Sequence, residues 1–167
     1  MDGTAGHTRD ARAPGAAAGV HAAAQQSLDA LIAETGRQLG AQLAVLRLPQ
    51  FDLTITYDVP GGRYSSAPLR PSVRKLLAVT QLNDPALPMP ATLEHGGPAL
   101  ATPVHDADRR PAGALCVVRS TEAGPFSRTD ALALQSLAGR VATLLQRHHD
   151  GMTGVLNRAL YDARTAE

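Results

Sequence analysis

Between residues 51 and 57 apolar and polar side chains alternate without a break: Phe51, Leu53, Ile55 and Tyr57 on one phase, Asp52, Thr54 and Thr56 on the other. Successive side chains of an extended chain point to opposite faces, so this is the pattern of a strand with one buried face. Such a strand needs partners in a sheet and an apolar layer over the buried side. The apolar run Leu43 to Leu48 supplies a preceding strand. Before it, Val20, Ala24, Leu28, Leu31, Ile32 and Leu39 recur at helical spacings in an Ala- and Gln-rich stretch, which predicts a helix ending near Gly40.

The remaining elements follow from punctuation. Val59 to Gly62 reads as a turn, and Arg63 to Ser66 as a short third strand. Leu69, Val73, Leu76 and Leu77 have helical spacing, with Pro71 tolerable only in the first turn. The prolines and glycines between 80 and 98 predict a long loop. Residues 99–105 and 112–119 read as antiparallel strands joined by the polar connection Asp106 to Pro111. A last helix is announced by Ser127 as N-cap and Asp130 in the first turn, where the helix dipole favours an anion. Leu134, Leu137, Val141 and Leu144 then alternate by three and four, the seam expected of a paired helix.

Composition narrows the classes of function. A chain of 167 residues is long enough for one domain with extensions. The formal charge is +1 with arginines scattered along the chain, which argues against nucleic acid as a partner. The single cysteine, Cys116, has no disulfide partner in the chain and no cysteine cluster to join at a zinc site. The N-terminus lacks the basic and apolar regions of a signal peptide, and no run reaches the roughly 18–20 apolar residues of a membrane span. Residues 1–18 show no periodic apolar pattern and are expected to be a disordered tail. A cytoplasmic protein without a membrane partner is expected.

Two segments carry a family resemblance. Ala101-Thr102-Pro103-Val104, then Ala112-Gly113-Ala114-Leu115-Cys116-Val117-Val118, then Phe126-Ser127-Arg128-Thr129-Asp130 and the helix positions Leu134, Leu137, Ala138 and Val141 together resemble the C-terminal half of GAF domains. The resemblance implies an α+β fold: an antiparallel sheet with the N- and C-terminal helices packed on one face, and loops plus a short helix over the other. Asp150-Gly151-Met152-Thr153-Gly154-Val155-Leu156-Asn157-Arg158 resembles the DxLTGLxNR opening of GGDEF domains, which also precedes EAL domains in degenerate form. The expected organisation is therefore a tail over 1–18, a GAF sensory domain over 19–147, and over 148–167 a linker with the start of an output domain. The sequence contains no GGDEF or EAL catalytic motif, so a non-catalytic regulatory piece of a bacterial cyclic-di-GMP signalling protein is expected.

Candidate binding chemistry is sparse. Where cyclic-nucleotide-binding GAF domains carry Asn-Lys, Phe and Asp-Glu, this chain has Arg119-Ser120, Phe126 and Asp130-Ala131, and helix-start packing explains the two matches equally well. Cys116 alternates with core positions and reads as a small buried side chain. His105 with Asp106 and Asp108 has metal-ligand chemistry but sits in a hairpin turn, and the adjacent His148 and His149 diverge on a helix; neither a metal nor a cofactor is expected. The resemblance puts the ligand pocket between the sheet and the loops and short helix, nearest Tyr57, Arg63, Tyr64, Arg74 and His95. Two functions fit: a regulatory module that binds an unknown small molecule, or a dimerisation scaffold without one. In both, a parallel homodimer through Leu134, Leu137, Val141 and Leu144 would set the spacing of two C-terminal output domains.

Overall fold

The computed structural model describes residues 15–147, with side chains from residue 22 onward. The GGDEF-like motif at 150–158, the histidines at 148 and 149, and residues 1–14 of the expected tail lie outside the described residues. Residues 29–143 form one compact unit that contains every strand found among the described residues, and the helical stretches 15–28 and 144–147 belong to a second.

Helix α1 (Gly15–Gln38) starts within the segment read as a tail, in a stretch where Ala16 to Ala18 favour helix, and gives way at Gly40, whose φ of +61° suits a residue without a Cβ. Strands β1 (Leu43–Leu48) and β2 (Leu53–Asp58) follow, joined by a short 3-10 turn over Pro49–Phe51, and β3 (Arg63–Ser65) completes a meander. Helix α2 (Pro71–Asn83) has Pro71 in its first turn, where a missing N–H costs nothing. Strands β4 (Met89–Thr92), β5 (Pro98–His105) and β6 (Pro111–Val118) precede helix α3 (Arg128–Arg147). The architecture is α+β: among the described residues one six-stranded antiparallel sheet, in the order β3-β2-β1-β6-β5-β4, with three α-helices.

The expected long loop over 80–98 requires correction. Helix α2 persists to Asn83, because nothing stops it before Asp84 adopts a left-handed conformation ahead of Pro85, and β4 lies inside the remainder. Pro90 is compatible with a strand here because β4 is at the edge of the sheet, where one row of amides needs no partner.

Strand register divides the core between two faces. On the first, Ala44 and Leu46 align with Val117 and Leu115, which align in turn with Leu100 and Thr102. Helix α1 lies on this face, since a Cβ on Gly36 would meet Val59 Cγ2 at 2.5 Å and Ala44 Cβ at 3.3 Å. Helix α3 lies there too: Leu134, Leu137 and Val141 are fully buried, and Ala138 borders a cleft together with Thr102. On the second face, Val73 and Leu77 of α2 pack with Val45, Ala99, Ala101, Ala114, Cys116 and Val118. Helix α2 therefore covers β5 and β6 and leaves much of β2 and β3 open on that side.

This corrects the expected dimer seam. Leu134, Leu137 and Val141 are exposed by no more than 2 % in the single chain, so they belong to its own core. Leu144 is half-buried. A three-four spacing marks an apolar stripe and is blind to whether a sheet or a second helix covers it.

Candidate functional site

The uncovered part of the second face is bounded by the connection from β3 to α2. Ser65 Oγ accepts a hydrogen bond from the Ala67 amide at 3.1 Å, which folds this connection back over the sheet. The segment Ser66–Leu69 then forms a strap that walls two clefts. The first, about 660 Å³, is floored by Leu43, Thr56 and Ser65 and flanked by Asp58, Arg63 and Arg70. The second, about 550 Å³, lies between Arg47 and Thr54 on the sheet and Arg74, Leu77 and Gln81 on α2. Both volumes are in the range of small-molecule sites, which run from about 300 to 1,000 Å³.

The lining groups are held by hydrogen bonds both within the sheet and to distant turns. Arg47 Nη1 donates to Thr54 Oγ1 at 2.6 Å across the β1–β2 ladder. The Asp58 carboxylate accepts the Gly61 amide at 3.3 Å in the turn before β3. Arg70 Nη1 reaches the His95 carbonyl at 3.4 Å, and Gln81 Nε2 donates to the Pro111 carbonyl at 3.2 Å.

The five residues expected near the pocket separate. Arg63 flanks the first cleft and Arg74 the second. Tyr57 aligns with Ala44, so its ring is on the helical face, where its hydroxyl accepts a hydrogen bond from Arg37 Nη1 at 3.2 Å. Tyr64 borders the first cleft, yet its ring turns to Tyr57 at a centroid distance of 4.9 Å and its hydroxyl donates to the Asp29 carbonyl at 2.6 Å. Burial, with Asp29 nearby, raises its pKa. The two tyrosines join the sheet to helix α1, and of the two Tyr64 alone also borders a cleft. His95 stands in a turn with φ +59°, 3.6 Å from the Glu94 carboxylate, and lines neither cleft.

Sequence reasoning missed Arg47 and Arg70. A signal for Arg47 was present: it is the one charged residue in the apolar run of β1, and its phase sets it beside Thr54, opposite to Tyr57. Arg70 precedes the helix and carried no periodic signal.

The positions compared with nucleotide-binding GAF domains have structural partners. Phe126 lies under the Arg119 guanidinium, 4.0 Å from ring centroid to Cζ. Asp130 accepts the Ser127 amide at 2.8 Å while the Asp130 amide donates to Ser127 Oγ at 3.1 Å, a reciprocal cap at the start of α3. Asp106 Oδ1 accepts the amides of Asp108 and Arg110, and His105 Nε2 meets Asp84 Oδ1 at 2.6 Å. Among the described residues no three His, Cys, Asp or Glu side chains come together in a way that could hold a metal ion. No described helix is long and apolar enough to cross a membrane.

Comparison with known proteins agrees with this architecture. The crystal structure of the GAF-B domain of DevS from Mycobacterium smegmatis superposes with a TM-score of 0.52, covering 82% of this chain and 98% of that one at 18% identity, a likeness of fold. No curated protein sequence matches the chain. The GAF domain profile matches residues 23–145, the stretch that runs from within helix α1 through the whole sheet into the last turn of α3, and the chain belongs to the GAF domain family.

Proposed function

We propose that this chain is the sensory domain of a bacterial, cytoplasmic cyclic-di-GMP signalling protein, in which a small molecule enters the clefts beside the Ser66–Leu69 strap and biases the position of α3. A sensory or regulatory role follows from the family. Ligand binding is supported by one observation above the rest: two adjoining clefts of ligand size over the part of the sheet that α2 leaves uncovered. The output is inferred from the GGDEF-like sequence at 150–158, directly after α3. A ligand can shift α3 only by as much as it binds one arrangement better than the other. The chain's own role is regulatory; catalysis belongs to the domain that follows.

A parallel homodimer is part of this proposal because GGDEF-like domains act facing one another. With Leu134, Leu137 and Val141 turned inward, the contact falls to outward positions of α3 such as Leu132, which is 47% exposed.

Native mass spectrometry of freshly purified protein tests the sensory reading. The expected spectrum shows the 17.4 kDa chain with an additional small-molecule mass that leaves on mild activation. A bare chain from several expression hosts, combined with no stabilisation by any metabolite pool, counts for a scaffold without ligand.

A further inference from the structure

Resting on the reading of the two clefts as the sensory site, we infer that they take a small organic polyanion, whose carboxylate or phosphate groups are engaged by arginines on both sides of the strap. The lining carries four arginines, Arg63 and Arg70 in the first cleft and Arg47 and Arg74 in the second, against a single carboxylate, Asp58. The whole chain has a formal charge of only +1, so this face holds a concentration of positive charge that composition does not explain.

Among the described residues none of these four arginines makes an ion pair. Arg47 and Arg70 meet only neutral acceptors, the Thr54 hydroxyl and the His95 carbonyl. Elsewhere the chain does pair such groups: Arg119 has Asp130 and Arg140 has Glu34. Four guanidinium groups share this face with Asp58, the register partner of Arg63, as the one carboxylate among them, and a planar oxyanion with its bidentate geometry is the chemistry that complements the excess positive charge. The hydroxyls of Thr56, Ser65 and Ser66 add neutral donors for the same oxygens. Leu43, Leu69 and Val73 give an apolar wall for the body of the molecule.

The test uses the 167-residue chain at fixed ionic strength, balanced with sodium chloride. Succinate and citrate represent carboxylates, glycerol 3-phosphate and inorganic phosphate represent phosphates, and succinamide and glycerol are their neutral counterparts. Melting temperature and calorimetric titration are recorded for each. The expected result is saturable binding by at least one anion, with a rise in Tm that its neutral counterpart does not produce. Which anion binds separates the carboxylate from the phosphate source. Affinity falls at least tenfold in R63Q and in R74Q, recovers partly in the lysine variants, and is unchanged in R110Q, an arginine of the β5–β6 turn. All these arginines except the half-buried Arg47 are exposed, and circular dichroism confirms that each variant folds. The inference is overturned if none of the four anions binds saturably, or if binding is indifferent to R63Q and R74Q. Retention of a neutral or cationic molecule in the native mass spectrum overturns the polyanion and leaves the sensory reading standing. A chain that retains nothing and binds nothing sinks both.

Discussion

The Arg119 guanidinium donates to the Asp130 carboxylate at 3.2 Å, and this pair ties the end of β6 to the first turn of α3. The same arginine also donates to the Leu39 carbonyl at 2.9 Å, after the end of α1, and to the Pro125 carbonyl at 3.1 Å. With its side chain 18% exposed and stacked on Phe126, it is the junction of α1, β6 and α3. Arg119→Ala removes these bonds together and leaves carbonyls and a carboxylate short of a donor. The expected loss is on the order of 3 kcal/mol in urea unfolding, with Arg119→Lys intermediate because a point charge cannot replace the planar fork. An alanine variant as stable as the parent contradicts the junction.

Asp130 makes stability depend on acid. Acceptance of the Ser127 amide hydrogen is the main reason its pKa lies below the ordinary 3.8; burial pushes the other way, and the Ser127 hydroxyl and Arg119 lower it further. A carboxyl depressed in the folded state stabilises the fold above its unfolded pKa, and that contribution is lost as pH falls through the folded value. Asp130→Asn should therefore be less stable than the parent at pH 7, and the gap should narrow below about pH 4. Urea midpoints measured from pH 7 to 2.5 check this; parallel curves count against it.

Cys116 is completely buried, and desolvation pushes its thiol up to about 12. At pH 8 the thiolate fraction is then on the order of 10⁻⁴, and the sulfur is also inaccessible. Labelling by a maleimide should be slower by orders of magnitude in native buffer than in 6 M urea. Equal rates would remove Cys116 from the core.

The buried stripe of α3 predicts a loss of folding where a helix-pair seam predicts only dissociation. Leu134→Ala should cost about 2–5 kcal/mol, as truncations of fully buried leucines do. Val141→Glu should unfold the domain, because a carboxylate at a fully buried position has no partner there. Circular dichroism and light scattering read the two effects separately: a folded Val141→Glu monomer would return Val141 to an intermolecular seam.

Gly113 stands where β6 passes β1 too closely for a side chain, since a Cβ there would strike the Arg47 carbonyl oxygen. Gly113→Ala should force the two strands apart at their register Arg47 with Ala114 and lower stability by about 1–3 kcal/mol. A thermal melt decides, and an unchanged Tm contradicts the close approach.

The parts of the fold that sequence revealed are those where one local rule acts alone. The Ser127 cap required nothing distant to be interpreted and stands as read at the start of α3. The alternation over 51–57 locates β2 but not its bounds or a single buried face, since Phe51 falls in the 3-10 turn and Thr56 is buried on the phase opposite to Ile55 and Tyr57. In the stretch 80–98 the prolines look like breakers, and only the neighbours of β4 reveal that Pro90 is at an edge. The pocket was half legible for a related reason. Alternation separates Tyr57 from Thr54 and Thr56, but which side bears the helices is decided by α1 and α3 from opposite ends of the chain. Sequence alone therefore puts Tyr57 near the clefts although it lies behind them, and gives no weight to Arg47 on the cleft side.

The strand order has a kinetic consequence. The first strand, β1, is central and has β6 as one of its two neighbours, aligning Leu43 with Val118. Until β6 has been synthesised, the β1–β2–β3 meander carries an open interior edge with Val45 and Leu46 beside it. Closing the sheet then requires a loop of most of the domain's length, an entropic cost met late and repaid all at once. The domain should therefore acquire protection from hydrogen exchange in a single late step, and a nascent chain stalled before Pro111 should hold a sticky edge that a chaperone, or another copy, can cover.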